Sequence, residues 1–187
     1  MKMKDIDFTK TALVLIDLQK GIVPIGGDEI VEKSVQLVNR FREQNGFISF
    51  VRVDFQDGKD ALKPETDQKS SAPQERPADW AEFDSRLNVQ EHDYIVTKRQ
   101  WGAFFGTDLD LQLRRRGIDT IVLCGIATNI GVESTAREAF QYGYNQIFIT
   151  DAMATFTKEE HEATLSYIFP KIGKLRTTQQ FLMENES

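Results

Sequence analysis

The chain has 187 residues, of which 40% are hydrophobic and 28% are charged, and its formal net charge is −6. This length suits a single domain over residues 1–187, and the composition is that of an ordinary soluble globular protein. The acidic balance argues against a nucleic-acid partner, because such binding needs a basic face. No run approaches the roughly 18 apolar residues of a transmembrane helix, so no membrane partner is expected.

Apolar, β-rich runs alternate with helical patterns along the chain. Strands are predicted at residues 11–17, 47–53, 94–98, 120–125, 146–151 and 174–176. Helices are predicted at residues 28–44, 108–116, 130–142, 158–168 and 178–183, with caps at Thr107 and Thr177 and a stop before Pro170. The alternation favours a doubly wound α/β fold, in which a mainly parallel six-stranded sheet carries helices on both faces.

Residues 54–93 break this alternation. The segment is polar, contains three prolines, and begins where a strand is predicted to end. A long irregular segment inside a compact domain is commonly a functional lid or disordered. Because Trp80 and Phe83 need something to pack on, a lid or pocket wall is favoured over a floppy surface insert.

Three predicted strand ends carry candidate functional residues: Asp17, Lys98 and the turn at residues 127–131. Right-handed crossovers place the carboxyl ends of parallel strands on one edge of the sheet, where such sheets bind ligands. Alone, Asp17 could cap the following turn, and Lys98 could be a surface lysine. Together they indicate an acid–base pair, because opposite charges keep each other ionised and oriented.

The residues around these positions resemble the isochorismatase-like hydrolase superfamily, which includes cysteine hydrolases. The resemblance rests on LIDLQKGIV around Asp17, KRQWGAFFGTDL from Lys98 and GIATNIGVESTA around Gly131, and it extends into the tail EEHEATLSYIFPKIGKLRTT. These separated motifs occur in the family order and cover nearly the whole chain. The resemblance implies a three-layer, Rossmann-like α/β fold with a catalytic site at Asp17, Lys98 and the Gly131 position.

Gly131 stands where the cysteine-hydrolase branches carry their nucleophilic cysteine. The resemblance further implies a cis peptide bond between Ile126 and Ala127, and an oxyanion cradle made by the backbone N–H groups of Ala127 and Gly131. A glycine cannot attack a substrate, so thiolate attack is excluded at this position. Cys124 lies upstream in a predicted buried strand and is interpreted as a core residue.

Two branches of the superfamily bear on the reaction. Nicotinamidases use an Asp/His/His metal site, and the corresponding segment, DFQDGKDALKPE, contains no histidine, so no metal and no cofactor are expected. True isochorismatases resemble this chain at Gly131 and hydrolyse a vinyl ether, which implies a general-acid role for Asp17. That branch has tyrosine and histidine where this chain has Ala127 and Asn129, so the substrate stays open between a vinyl ether and a C–N compound.

The candidate pocket residues are Gln19, Phe55, Trp80, Trp101, Phe104, Thr128 and Asn129. The aromatic side chains suit a wall for a small planar or cyclic substrate, although Trp101 and Phe104 also suit packing or an oligomer contact. Thr128 and Asn129 are weighed between ligand contact and capping of the following helix, with capping favoured.

The leading hypothesis is a small-molecule hydrolase that uses Asp17 and Lys98 without a cysteine nucleophile. The alternative is a non-catalytic protein that kept the pocket and binds a small carboxylate through Lys98 and the helix N-terminus. A third interpretation, that Gly131 replaces a natural cysteine, is disfavoured by the resemblance of its neighbours to glycine-bearing members. The family also implies a homo-oligomer, a dimer or a tetramer, and the lone cysteine fits a reducing cytoplasm.

Overall fold

The computed structural model describes residues 6–68 and 76–185. Its six strands are β1 (Thr11–Ile16), β2 (Phe47–Val53), β3 (Tyr94–Lys98), β4 (Thr120–Ile126), β5 (Asn145–Ala154) and β6 (Lys174–Arg176). They form one parallel sheet in the order β3-β2-β1-β4-β5-β6. From β1 the chain adds β2 and then β3 toward one edge of the sheet. It then crosses to the other side of β1, where β4, β5 and β6 follow in order to the opposite edge. The predicted doubly wound sheet is confirmed.

Helices cover both faces of the sheet. On one face lie α1 (Asp28–Glu43) and α6 (Thr178–Glu184), and on the other lie α2 (Leu109–Arg115), α3 (Glu133–Gln141) and α5 (Phe169–Ile172). The remaining helix, α4 (Lys158–Tyr167), packs on α5 and on the turn that precedes α3. Within the two described ranges, no helix is long and apolar enough to span a bilayer.

Strand β1 shows why the sheet needs both helical layers. All six of its residues are buried, with Leu13 and Leu15 in one core cluster and Ala12, Val14 and Ile16 in the other. Successive side chains of a strand point to opposite faces, so a continuous apolar run requires cover on both sides. The strand occupies the middle of the sheet, and its carboxyl end consequently lies at the centre of the functional edge.

Helix α1 follows the predicted pattern closely. Its buried residues recur at helical spacing, including Ile30, Leu37 and Phe41, and they face the sheet. The helix ends before Asn45, whose φ of 53° lies in the left-handed region that asparagine tolerates. The termination predicted at Asn45 and Gly46 is therefore confirmed.

Several predicted boundaries move. Strand β5 runs to Ala154 rather than to residue 151, because Ala152 and Met153 continue into the core after an irregularity in the pairing of β4 with β5. The helix predicted from residue 130 begins instead as a π-helical turn at Thr128–Val132, and regular α-helix starts at Glu133. Tertiary pairing and packing decide these details, and local sequence pattern does not encode them.

The predicted helix stop before Pro170 is confirmed, because α4 ends at Tyr167. Pro170 itself lies in the first turn of the short helix α5, which was not predicted. Proline is tolerated there, because the first helical N–H groups have no intrahelical acceptor. The predicted caps hold: Thr107 Oγ1 accepts the N–H of Leu109, and Thr177 forms a capping box with Gln180.

Candidate active site

A cavity of about 320 Å³ opens at the carboxyl edge of the sheet. It lies beside the ends of β1, β2, β3 and β4, where the topology brings distant parts of the chain together. Its lining residues are Asp17, Ile22, Ile25, Val53, Phe55, Ala61, Leu62, Arg76, Trp80, Lys98, Arg99, Gln100, Trp101, Ile126, Ala127, Ile130, Gly131 and Phe156. The walls are therefore largely apolar and aromatic, with a small number of charged groups among them.

Asp17 and Lys98 form a buried ion pair at the base of this cavity. Asp17 follows the last residue of β1 with a φ of 53°, and Lys98 is the last residue of β3. Lys98 Nζ donates to Asp17 Oδ2 at 2.7 Å, and the two residues are only 2% and 5% exposed. The surface-lysine interpretation is therefore wrong, because the whole side chain is enclosed and its charge meets a carboxylate.

The second lysine contact fixes the ammonium group in place. Lys98 Nζ also donates to the carbonyl oxygen of Trp101 at 2.7 Å. An ammonium group has three donors, so these two contacts leave one N–H for a ligand oxygen. Asp17 Oδ1 is buried and has no hydrogen-bond partner among the described residues. Both members of the pair thus keep capacity for a bound molecule.

Burial raises the pKa of Asp17 to about 6, and the nearby charge and hydrogen bond of Lys98 act in the opposite direction. Desolvation dominates because a carboxylate loses its hydration inside the protein. A carboxyl group with this pKa is partly protonated near neutral pH. It can therefore act as a proton donor as well as a base.

Gly131 faces the ion pair directly. A Cβ atom built on this glycine would lie 3.1 Å from Asp17 Oδ2 and 3.2 Å from Lys98 Nζ. The three residues predicted as the catalytic site therefore lie together, although 114 positions of sequence separate the first from the last. Gly131 also lines the cavity, so the absence of a side chain leaves the ion pair accessible from it.

The turn that carries Gly131 has the predicted backbone feature. The peptide bond between Ile126 and Ala127 is cis, and the π-helical turn follows at once. Ala127 and Gly131 both line the cavity, and the N–H groups of Ile130 and Val132 donate to the carbonyl oxygen of Ala127. That the N–H groups of Ala127 and Gly131 form an oxyanion cradle stays a prediction.

Cys124 lies in the core, as predicted. It is 0% exposed and belongs to the apolar cluster beneath α1, where its Sγ atom lies 3.9 Å from the Ser34 hydroxyl. Burial raises the pKa of the thiol to about 12. The thiolate form that a nucleophile needs is consequently suppressed, and Cys124 does not line the cavity.

Thr128 and Asn129 do not serve as helix caps, so the favoured interpretation of these residues is wrong. Thr128 is completely buried, and its Oγ1 atom lies 2.8 Å from Nδ1 of His161. Asn129 Oδ1 accepts a hydrogen bond from the hydroxyl of Thr155 at 2.6 Å. Neither residue lines the cavity. Both instead attach the turn to neighbouring elements, α4 and the end of β5.

The other predicted pocket residues divide into two groups. Phe55, Trp80 and Trp101 line the cavity, as expected. Gln19 does not, because its side-chain amide is buried and exchanges two hydrogen bonds with the backbone of Val53. Phe104 does not line the cavity either. It is 4% exposed and packs in the core on the face of the sheet that α2, α3 and α5 cover.

The lid or pocket-wall interpretation of residues 54–93 agrees with the described part of that segment. Phe55, Leu62 and Trp80 line the cavity, and Phe83 packs against Phe50 at a ring-centroid distance of 5.6 Å. Residues 69–75 of the segment lie outside the described residues. Among the residues that are described, no group of three or more His, Cys, Asp or Glu side chains is placed to hold a metal ion.

Several residues that line the cavity, among them Arg76, Arg99 and Gln100, were not predicted from the sequence. Arg99 and Gln100 follow Lys98 directly, so their position in the motif was an available signal. Arg76 lies over the rings of Phe55 and Trp80, at 4.6 and 4.4 Å from their centroids. No sequence pattern indicates that position, because only the folded loop brings these residues together.

The comparisons with known proteins agree with the fold. Residues 11–180 match the family model described as the isochorismatase domain. The chain is 71% identical to the uncharacterized isochorismatase family protein YwoC of Bacillus subtilis, over 97% of each chain. It is 44% identical to the uncharacterized isochorismatase family protein YecD of Escherichia coli O157:H7, over 96% of this chain and 98% of the other. The crystal structure of an isochorismatase family protein from Burkholderia thailandensis superposes with a TM-score of 0.90 at 44% identity, covering 98% of both chains.

Proposed function

The chain belongs to the isochorismatase family, and we propose that it hydrolyses a small molecule through Asp17 and Lys98 without a cysteine nucleophile. The observation that carries the proposal is the buried 2.7 Å ion pair facing Gly131 across the cavity. A thiol at position 131 is absent, and the only cysteine lies in the core. Catalysis at this site therefore has to proceed by proton transfer and activation of water.

Asp17 is the proposed general acid for a vinyl ether substrate. Its carboxyl group is protonated in a substantial fraction of molecules below pH 6, and its unpartnered Oδ1 atom is available to carry that proton. Transfer of the proton to the terminal vinyl carbon turns the ether-bearing carbon into an oxocarbenium ion. Water adds to that carbon and returns a proton to Asp17, and the hemiketal collapses to an alcohol and a ketone.

Lys98 is the proposed orienting cation. It holds Oδ2 of Asp17, so the proton is directed to the other carboxyl oxygen. Its remaining N–H can bind an oxygen of the substrate, and its charge favours an anionic one. A C–N substrate would use the same groups in the reverse sense, with Asp17 as the base that activates water. In both reactions the apolar walls limit the access of bulk water.

The pocket itself suits a small planar or cyclic molecule. Phe55, Trp80 and Trp101 supply aromatic surface, and the lining also includes the positively charged Arg76 and Arg99 beside Lys98. The proposed substrate is therefore a small compound with an acidic group beside the bond that is broken. We propose that Ala127 and Gly131 bind its developing negative charge through their backbone N–H groups.

The alternative is a non-catalytic protein that binds a small carboxylate. The missing thiol at Gly131 and the enclosed cation of Lys98 favour it, because together they form an anion site without a nucleophile. Binding and turnover distinguish the two functions. A carboxylate that raises the melting temperature, without turnover of any compound across a broad panel, supports the alternative.

The decisive experiment screens vinyl ethers, including isochorismate, together with small amides, and repeats each hit with Asp17→Asn. This variant keeps the shape of the side chain and loses the acidic proton, so turnover is expected to fall by at least about 100-fold. Asp119→Asn is the matched control, because Asp119 is exposed and lies at the amino end of β4, away from the cavity. Turnover that survives Asp17→Asn would refute the mechanism.

We also propose that the protein is a homo-oligomer. Trp101 and Phe156 line the cavity but are 61% and 64% exposed, so a second copy could cover the mouth of the site. Size-exclusion chromatography with light scattering tests this, and a monomer at micromolar concentration would remove the proposal. The single buried cysteine supports a further proposal, a location in the reducing cytoplasm.

A further inference from the structure

Thr135 connects the two segments that build the site. It lies on α3, one helical turn after Gly131, and is 0% exposed. Its hydroxyl donates to the carbonyl oxygen of Gly131 at 2.7 Å and accepts the N–H of Ala103 at 3.1 Å. We propose that Thr135 is a positioning residue, which holds Gly131 and the loop after Lys98 at the separation that the catalytic pair requires. The inference rests on the proposed function of that pair.

The hydroxyl chemistry matches this role. A threonine hydroxyl has one proton to donate and lone pairs to accept with, so the two contacts use it in both capacities. The bond to Gly131 alone would be unremarkable, because threonine in a helix commonly bonds the carbonyl four residues earlier. The bond from Ala103 is different, since Ala103 belongs to another segment, 32 positions away.

The contact from Ala103 belongs to a series of hydrogen bonds that runs from the ion pair to Gly131. Lys98 Nζ donates both to Asp17 Oδ2 and to the carbonyl oxygen of Trp101. Two residues after Trp101, the N–H of Ala103 donates to Thr135, which donates in turn to Gly131. Gly131 lies beside the pair, since a Cβ atom built on it would be 3.1 Å from Asp17 Oδ2 and 3.2 Å from Lys98 Nζ. The position of the ammonium group therefore depends on where Thr135 holds the loop.

A second hydrogen bond from the same helix supports the docking of this loop. Glu138, three residues after Thr135, accepts the N–H of Phe104 through Oε2 at 3.2 Å. Gly102 permits this approach, because a Cβ atom there would collide with the carboxylate of Glu138. Among the hydrogen bonds of the described residues, those of Thr135 join the loop to the carbonyl oxygen of Gly131, whereas Glu138 bonds the loop only.

Three variants test the inference. Thr135→Val replaces the hydroxyl by a methyl group of similar size, and Thr135→Ser restores the hydroxyl. Thr135→Ala also removes the hydroxyl and replaces the valine variant in these measurements if that variant does not fold. Thr178→Val is the matched control, because Thr178 is also 0% exposed and its hydroxyl donates to Asp151 rather than to the site.

Two readouts do not need turnover. Amide exchange by NMR should accelerate at Ala103 by about tenfold in Thr135→Val, as the loss of one buried hydrogen bond implies. The chemical shift of the Asp17 carboxyl carbon, followed against pH, reports the ionisation of that group. Its midpoint should shift by about half a pH unit, because the ammonium group beside it moves. Thr135→Ser should behave like the native protein in both measurements, and Thr178→Val should change neither.

The inference is overturned if Thr135→Val leaves both readouts at their native values, or if Thr178→Val changes them as much. Where a substrate is known, kcat should fall in Thr135→Val and recover in Thr135→Ser, with little change in KM. If no compound is turned over, the proposed catalytic function fails while the two NMR readouts still decide whether Thr135 positions the pair. The two failures are therefore distinguishable.

Discussion

Lys98 and Asp17 share one short hydrogen bond, from Nζ to Oδ2 at 2.7 Å, while Oδ1 of Asp17 finds no donor within the described residues. The pair is thus asymmetric: one carboxyl oxygen is fixed by the protein, and the other is left for chemistry. A buried polar atom without a partner is costly, because it loses its hydration without gaining a hydrogen bond.

Turnover of a vinyl ether should decrease as the pH rises through about 6, because the proton donor is the acid form of Asp17, whose pKa is raised to about 6 by burial. Above that value the protonated fraction falls about tenfold per pH unit. The free energy of unfolding should also decrease as the pH rises through about 6. The raised pKa of Asp17 in the folded state favours folding at low pH, and this contribution is lost once the carboxyl group ionises. A profile of kcat/KM from pH 4 to 9 checks this. A rate that increases across pH 6 would instead indicate Asp17 as a base.

Lys98→Met should destabilise the fold more at pH 8 than at pH 5. At pH 8 the variant buries an unpaired carboxylate, which costs about 3–5 kcal/mol of unfolding free energy. At pH 5 Asp17 can be neutral, because removal of the cation lets burial raise its pKa further. Urea unfolding at both pH values measures the difference. Lys158→Met, at an exposed ion pair with Glu162, should change stability by less than about 1 kcal/mol. An equal loss at both pH values for Lys98→Met would contradict the prediction.

Gly131→Ala should reduce turnover without unfolding the protein. The added Cβ atom would lie 3.1 Å from Asp17 Oδ2 and 3.2 Å from Lys98 Nζ, so these groups have to shift by a few tenths of an ångström. Overpacking of this kind costs about 1–3 kcal/mol, part of which better helix propensity offsets. Gly143→Ala is the control, because it strains the backbone without crowding any side chain. The φ of 85° is unsuited to alanine, but no atom lies within 4 Å of the added Cβ. It should lower the melting temperature and keep turnover. Full activity in Gly131→Ala would show that the position is not part of the site.

Cys124→Ala should retain full turnover. The thiol is 0% exposed, and its pKa is raised to about 12 by burial, so it cannot supply a thiolate at neutral pH. The substitution removes a packed atom and should lower the unfolding free energy by about 1 kcal/mol. Thiol reagents should modify the native protein only as fast as it unfolds. Inactivation by iodoacetamide under native conditions would require a different account of the site.

Asp60→Asn should raise KM more than it lowers kcat. Asp60 pairs with Arg99 at 2.8 Å and accepts the N–H of Gln56, so it ties the loop after β2 to the residue beside Lys98. The pair is partly exposed, so its loss should have little effect on the stability of the fold. Faster proteolysis between residues 54 and 68 would accompany the change in KM. Asp57→Asn is a control on the same loop, and an identical effect there would mean that the Arg99 contact is not responsible.

The sequence alone determined the framework of this protein. The fully apolar run at residues 11–16 required a central strand with both faces covered, and the alternation of strands and helices required the parallel sheet. Because the carboxyl ends of such strands share an edge, the sequence predicts that Asp17, Lys98 and Gly131 lie close together. The burial of Cys124 followed equally from the apolar residues around it.

Only the tertiary structure decided which side chains face the cavity. Phe104 and Trp101 lie in the same short loop, yet the first packs in the core and the second lines the site. Thr128 and Asn129 have the chemistry of caps, but His161 and Thr155 are nearer partners once the chain is folded. Local pattern records how polar a residue is and how often apolar residues recur. It does not record which distant group the fold will bring within hydrogen-bonding distance, and Thr135, Arg76 and the pKa of Asp17 all depend on that.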